Sequence, residues 1–350
     1  GRSAAPLHYY IQDNITEKYS VYLYIIKITF GIMNIPEIIQ SHQGKGFSIE
    51  VLPPLKGRGI NRLFSQIDRL IPYGPSYINI TTHRSELVFK STPDGMYQRV
   101  SERSRPGTVA VAAALQQRYN IPAVPHIICS GYSKIETEYA LIDLNFLGID
   151  NLLVLRGDKA KHDSRFMPNE GGHAHASELQ LQINDFNRGL FIDGTSMDIA
   201  NSSRFSYGVA GYPEKHDEAP NMDIDISWLK HKVDNGASYI VTQLFFDNGK
   251  FYDFVDRCRK AGINVPIIPG VKPIVSLSQM TVLPKVFHVD LPTALARRLM
   301  ECRNDDEAKA VGVEWCSAQM ADLYDHDVKS IHIYSLNATA SVEKILHNVL

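Results

Sequence analysis

Several polar side chains stand where the sequence is otherwise apolar, and their chemistry comes first. Glu50 lies between Ile49 and Val51 inside a β-rich run. A carboxylate there is costly unless it is paired or protonated. Burial raises a carboxyl pKa and suits it to general acid work near neutral pH; the alternative is a plain ion pair with an Arg or Lys in a barrel lumen. Arg156 and Asp158 flank Gly157 at the end of another run. Two apart in an extended chain, they face one side, although Gly-Asp is also a common turn. Gln243 interrupts the run 239–246 and must find partners, functional or structural. His126, within 124–129, reads more readily as a hydrogen-bonded core histidine than as a ligand. His162, His173 and His175 lie in a polar stretch, but no carboxylate–histidine spacing supports a metal site there.

The elements that must position these groups recur along the chain. Short β-rich runs fall at 47–52 (FSIEVL), 77–81 (YINIT), 124–129 (VPHIIC), 151–156 (NLLVLR), 205–212 (FSYGVAGY), 239–246 (YIVTQLFF), 265–270 (VPIIPG) and 331–336 (IHIYSL). Most are continuous apolar runs, the mark of parallel strands covered on both faces. Amphipathic stretches separate them: Ile226, Leu229 and Val233 in one, and Val342, Ile345, Leu346 and Val349 in the last. Alternating β and α patterns imply right-handed βαβ units, and eight of them favour a single (β/α)8 TIM barrel of the α/β class over an open doubly wound sheet. The seventh connection, about 280–328, has room for two or three helices. Active sites of such barrels lie at the carboxyl ends of the strands. The polar stretch 159–172 reads as a mobile loop over that face.

Composition narrows the function. The chain has 350 residues, 44 % hydrophobic and 21 % charged, with a net charge of −2. That describes a soluble globular protein able to bury a large core. No basic run speaks for nucleic acid. The four cysteines form no CxxC, which argues against structural zinc and a secreted disulfide framework and for reduced thiols in a cytoplasm. There is no GxGxxG after a strand and no P-loop, so a nucleotide cofactor would bind in barrel loops. Residues 1–43 read as an N-terminal extension before a barrel domain at 44–350. Its apolar stretch, interrupted by Lys27, is too short to span a membrane. Met33 reads as a natural start, with 1–32 either added or wrongly included sequence before it or a real helical extension that packs on the barrel or a partner.

Eight strings in order resemble one family. FSIEVLPP (47–54), PHIIC (125–129), LRGD (155–158), VAGYPEKH (209–216), LKHKVDNGA (229–237), TQLFFD (242–247), PIIPGVKP (266–273) and IYSLN (333–337) are similar to methylenetetrahydrofolate reductases of the short, single-domain bacterial type. LRGD alone is weak; the ordered set is specific. The resemblance implies a barrel holding FAD at the carboxyl ends of its strands. It implies reduction of 5,10-methylenetetrahydrofolate to 5-methyltetrahydrofolate at the expense of NADH or NADPH, in two half-reactions that alternate at one flavin face. The product would feed methionine synthesis.

Residue by residue, the resemblance makes Glu50 the general acid and Asp158 the carboxylate near flavin and pterin, both touching the folate. Gln243 and Gln279 become further folate contacts. Thr81, His126, Arg156, Gly157, Asp158, Ala176, Tyr212, His216, Ala219, Asp225, Lys232 and Tyr334 fall on cofactor-contacting positions. Arg156 and Lys232 suit phosphate groups. A homo-oligomer without membrane or nucleic-acid partners is implied. Because the residues stop just after the eighth unit, no response to S-adenosylmethionine is expected. Three places depart from the family pattern. After Thr81 the usual Tyr-Gly-Ala is replaced by 82–86 (THRSE); Ala338 stands where Arg is usual; and His231 stands near the ADP end. The altered 82–86 segment motivates a second reading, a barrel flavoprotein reduced by a protein donor. A non-catalytic folate- or flavin-binding scaffold is the third, and a buried acid argues against it.

Overall fold

The computed structural model describes residues 33–42, 44–160, 163–197, 204–336 and 338–350. Residues 1–32, with most of the apolar stretch near the start, lie outside the described residues, as do His162 and Asn337.

The predicted barrel is present. Eight parallel strands close in the order β1 (Gly46–Val51), β2 (Tyr77–Ile80), β5 (Ala123–Ile128), β6 (Asn151–Leu155), β7 (Ser206–Gly211), β8 (Tyr239–Leu244), β9 (Ile267–Val271) and β10 (Ser330–Tyr334), with β10 pairing back to β1. Each corresponds to one of the apolar runs read from the sequence. Most of their residues are buried because helices cover the outside and side chains fill the inside. The outer layer is α2 (Asn61–Ile67), α3 (Thr108–Tyr119), α4 (Lys134–Phe146), α5 (Ala176–Asn187), α6 (Met222–Asp234), α7 (Asn248–Lys260) and α11 (Thr339–Val349). The long seventh connection holds three helices, α8 (Gln279–Phe287), α9 (Thr293–Met300) and α10 (Asp305–Asp325). The described part of 159–172 contains neither helix nor strand.

Two elements were not anticipated. Residues grouped above with the extension form α1 (Ile35–Ser41), opened by a capping box between Asn34 and Glu37. Its Ile35, Ile38 and Ile39 pack with Tyr77, Val124, Leu153, Tyr239, Val241 and Ile268 and plug the amino-terminal end of the lumen. Asn151 ties the plug down by accepting the Ile35 N–H at 3.0 Å and donating to the Met33 carbonyl at 3.1 Å. Three isoleucines at 3–4 spacing were the available signal. The second element is an antiparallel hairpin, β3 (Glu86–Ser91) with β4 (Tyr97–Glu102), inserted between β2 and α3. Its residues are mostly exposed and polar, so no apolar periodicity marked it. It leans on the loop after β1, where Lys56 N–H meets the Ser104 carbonyl at 2.8 Å and Arg105 reaches the Pro53 carbonyl.

Candidate active site

Glu50 lies inside the barrel. Its neighbours in β1 alternate between lumen and outer core, and the residue is only 5 % exposed. One carboxylate oxygen sits 3.3 Å from His332 Nε2 and 3.7 Å from His126 Nε2. His332 is fully buried, and its Nδ1 lies 2.9 Å from Ser48 Oγ, which fixes the ring against the carboxylate. The Ser335 hydroxyl donates to the Glu50 carbonyl at 2.6 Å. Tyr334 closes the same level. Its hydroxyl donates to the Thr242 carbonyl at 2.7 Å, so its ring crosses above Gly270, where a Cβ would come within 2.6 Å of Cε2.

The ionisation of Glu50 corrects the expectation from sequence. Burial does push its pKa up, as expected, but the hydrogen bond from His332 and the attraction of His126, His332 and Lys272 in their protonated forms outweigh it. The net direction is below the ordinary carboxylate value. His126 behaves oppositely: burial drives it down to about 4, against the pull of Glu50, so at neutral pH it is uncharged. Its Nε2 has no hydrogen-bond partner among the described residues.

A second constellation forms at the carboxyl ends of β5, β6 and β7. Gly157 adopts φ +80°, which turns the chain out of β6 and exposes Asp158 at the mouth. Ser130 Oγ donates to the Asp158 carbonyl at 2.6 Å and pins the turn. Arg156 forms a two-pronged pair with Glu218, at 2.5 and 2.9 Å, and stacks 4.9 Å from the Phe166 ring. The loop after β7 folds back over this point. Lys215 is held at φ +77°, a strained conformation for a side-chain-bearing residue, and donates to the carbonyls of His216 and Ala219 at 2.8 and 2.7 Å. Tyr212 meets the His216 ring edge-on at 4.7 Å, and the His216 N–H donates to Asp225 at 2.9 Å. Lys232 rises from α6 and donates to the Ala210 carbonyl at 2.9 Å; burial lowers its pKa to about 8, with Asp225 pulling up and Arg156 pushing down.

Most residues singled out in the sequence therefore share one end of the barrel. Thr81 caps β2 against the Val51 carbonyl. Ala176 opens α5 without a side-chain cap; the Glu178 N–H meets the His175 carbonyl at 3.1 Å, while those of Ala176 and Ser177, without a partner among the described residues, suit an anion. Gln243 stands where the β8–β9 ladder slips, and its Oε1 accepts the neighbouring Leu244 N–H at 2.9 Å. Gln279 opens α8 and turns back to accept the Val275 N–H at 2.7 Å. His231 meets Asn235 at the end of α6, 3.3 Å away, and Ala338 is buried in the outer core. The departing 82–86 segment crosses the mouth: Thr82 Oγ1 donates to the His126 carbonyl at 2.5 Å, and Arg84 to Ser130 Oγ at 3.3 Å. His83 between them is pushed down by burial and by Arg105, against Asp158 and Glu50.

His332, Lys272, Glu218 and His83 were missed as site residues. For His332 a signal existed: in IHIYSL it alternates with Ile331 and Ile333, as a lumen residue must. Glu218 and His83 lie on loops, where no periodicity speaks. His173 is occupied by Gln182 Oε1 at 2.6 Å, and among the described residues no group of three His, Cys, Asp or Glu could hold a metal.

The second constellation fits an anionic dinucleotide. A buried lysine on a carbonyl, a guanidinium that Glu218 holds in place and an uncapped helix start give it a donor-rich cradle. These are the residues that would hold FAD.

Comparison with known proteins places the chain in a family. A family model for methylenetetrahydrofolate reductase matches residues 35–350. Arabidopsis thaliana methylenetetrahydrofolate reductase (NADH) 1 is 32 % identical over 326 residues, covering 88 % of this chain and 49 % of that protein. A Caenorhabditis elegans relative described as probable methylenetetrahydrofolate reductase (NADPH) is 30 % identical, covering 87 % of this chain and 42 % of its own length. The chain thus spans about half the length of these relatives. The 5,10-methylenetetrahydrofolate reductase of Pectobacterium carotovorum is 28 % identical, with 86 % of this chain and 89 % of that protein covered. Among solved structures, a Clostridium thermocellum protein that binds 5-methyl-5,6,7,8-tetrahydrofolic acid superposes with a TM-score of 0.51 at 14 % identity, over 89 % of this chain and 96 % of that one. At that identity the likeness concerns the fold. With the family model spanning nearly all of the described barrel, the chain belongs to the methylenetetrahydrofolate reductase family.

Proposed function

We propose that this protein reduces 5,10-methylenetetrahydrofolate to 5-methyltetrahydrofolate with NADH or NADPH through FAD, the two substrates taking turns at the barrel mouth. The observation that carries the proposal is Glu50, a buried carboxyl at the lumen's upper end, with a donor-rich cradle at the same end of the barrel. FAD, when bound, supplies the two-electron carrier that accepts hydride from one substrate and gives it to the other.

The protein's own groups then have distinct tasks. Arg156, Lys232, His216 and the start of α5 would hold the cofactor's phosphates and ribose. Asp158, Gln243 and Gln279 line the mouth for the pterin. Glu50 must hand a proton to N10 of the folate so that the five-membered ring opens; the opened carbon then accepts hydride. His332, held by Ser48, keeps the carboxyl aimed. One proton is consumed per turnover, and Glu50 has to be reloaded each time. The same reading makes the protein a cytoplasmic homo-oligomer whose product feeds methionine synthesis.

The test is anaerobic rapid mixing of the yellow holoprotein, first with NADH or NADPH, then with methylenetetrahydrofolate. Glu50→Gln should still bleach with nicotinamide but reoxidise with folate about 100-fold more slowly or worse. Equal loss of both steps would make Glu50 structural. A second reading, reduction by a protein donor, draws on the exposed Phe89, Met96 and Tyr97 of the β3–β4 hairpin; failure of both nicotinamides to bleach the flavin would favour it.

A further inference from the structure

Lys272 is a buried cation with no task in the reaction just described. It directly follows β9 and is 8 % exposed. Alternation with Ile268, which packs in the plug, and Gly270, which lies under the Tyr334 ring, puts it on the lumen side. Gly270 pairs with His332, and Glu50 with Tyr334, across the adjacent strands β9, β10 and β1. Lys272 therefore comes level with Tyr334 and Glu50. Among the described residues its ammonium has no hydrogen bond and no ion-pair partner within 4.0 Å. An ammonium held in a largely buried side chain without a fixed partner trades its proton readily.

The charged and titratable groups around it are few. Lys272 feels the charge of Glu50, two strands away around the barrel, and of Cys316 of α10. Glu50 in turn faces His332 of β10 and His126 of β5, with His83 and Tyr334 at the mouth. Burial pushes Lys272 below the ordinary lysine value, and Glu50 opposes it. Of these groups Lys272 is the buried cation whose proton no other described residue holds.

We propose that Lys272 reloads Glu50 with its proton in each turnover, through one bridging water or ligand atom. The inference rests on Glu50 being the general acid. In the open site the pair is charged, ammonium and carboxylate. Covering the mouth removes water, and two opposite buried charges lose more solvation than they regain by attraction. The ammonium N–H bond then breaks and the carboxyl O–H bond forms, leaving a neutral amine and a neutral acid. The acid gives that proton to the substrate amine and returns to carboxylate. The Lys272 amine takes its next proton from water when the face opens. No electrons move in these steps.

Two variants test this on the full-length holoprotein. Lys272→Arg keeps the charge but holds its proton too tightly to give it up; Lys272→Met removes both. The folate half-reaction, followed against pH by anaerobic mixing, should slow about 100-fold in Lys272→Arg near neutral pH and recover as pH falls. Lys272→Met should retain more of the rate than Lys272→Arg. On acidification its protonated carboxyl band in the infrared should appear at a higher pH than in the parent and be absent from the Glu50→Gln, Lys272→Met double variant. A Lys272→Arg protein matching the parent at every pH, or a Lys272→Met protein whose band appears at the parent's pH, overturns the proposal. The band stands as a test even if the arginine variant does not fold. Glu50→Gln separates the two claims: full folate activity there defeats the acid itself, whereas an inactive Glu50→Gln beside a parent-like Lys272→Arg defeats only the reloading.

Discussion

Asp158 is placed by the residue before it. Gly157 sits at φ +80°, and a Cβ there would stand 2.9 Å from Ser130 Cβ and 3.3 Å from Ile128 Cβ. Gly157→Ala should therefore cost about 2 kcal/mol through left-handed strain and crowding. It should also spread the Ser130–Asp158 hydrogen bond that pins the turn. Urea denaturation reads the first effect; parental stability would mean the turn relaxes freely. The position of Glu50 was legible, because a carboxylate flanked by Ile and Val in a strand pattern must serve either an ion pair or a reaction. Its ionisation was not. The group that holds it, His332, is 282 positions away in the sequence and meets it only because β10 closes the barrel onto β1.

At the scale of elements, α1 is the clearest surprise. A seven-residue helix has too few hydrogen bonds to persist alone. Its three isoleucines gain their stability from the lumen floor they plug. Ile35, fully buried, should cost about 2–4 kcal/mol when replaced by Ala. A loss below about 0.5 kcal/mol in chemical denaturation would mean that the helix merely lies on the surface. The eight barrel strands were readable because each is buried on both faces and so is apolar nearly throughout. The hairpin β3–β4 was not readable for the opposite reason: Phe89, Met96 and Tyr97 are exposed, and its other described side chains follow no buried face. Its only trace in the sequence was a departure from a family pattern at 82–86.

For the whole molecule, pH stability follows from the lumen. His126 titrates near 4 in the fold against an ordinary 6.5. Between those values the unfolded chain binds more protons than the native state, so stability rises with pH there and falls on acidification. The linkage amounts to about 3 kcal/mol between neutral pH and pH near 4. Glu50, depressed below its ordinary value, acts in the same sense, since its contribution is present above the unfolded pKa and lost as pH falls through the folded one. Denaturation curves of the parent and His126→Gln, taken from about pH 7 to about 4.5, check this; the variant should show a shallower loss. The order of apolar runs, the helical spacing between them and the misplaced polar residues were determined by the sequence itself, because burial on two faces and alternation within a strand are local rules. Which carboxylate met which histidine, that Arg156 pairs with Glu218, and that Lys272 came level with Glu50 were decided only by closure of the barrel. Charges report their state through distances, and the distances across a lumen exist only once all eight strands have joined.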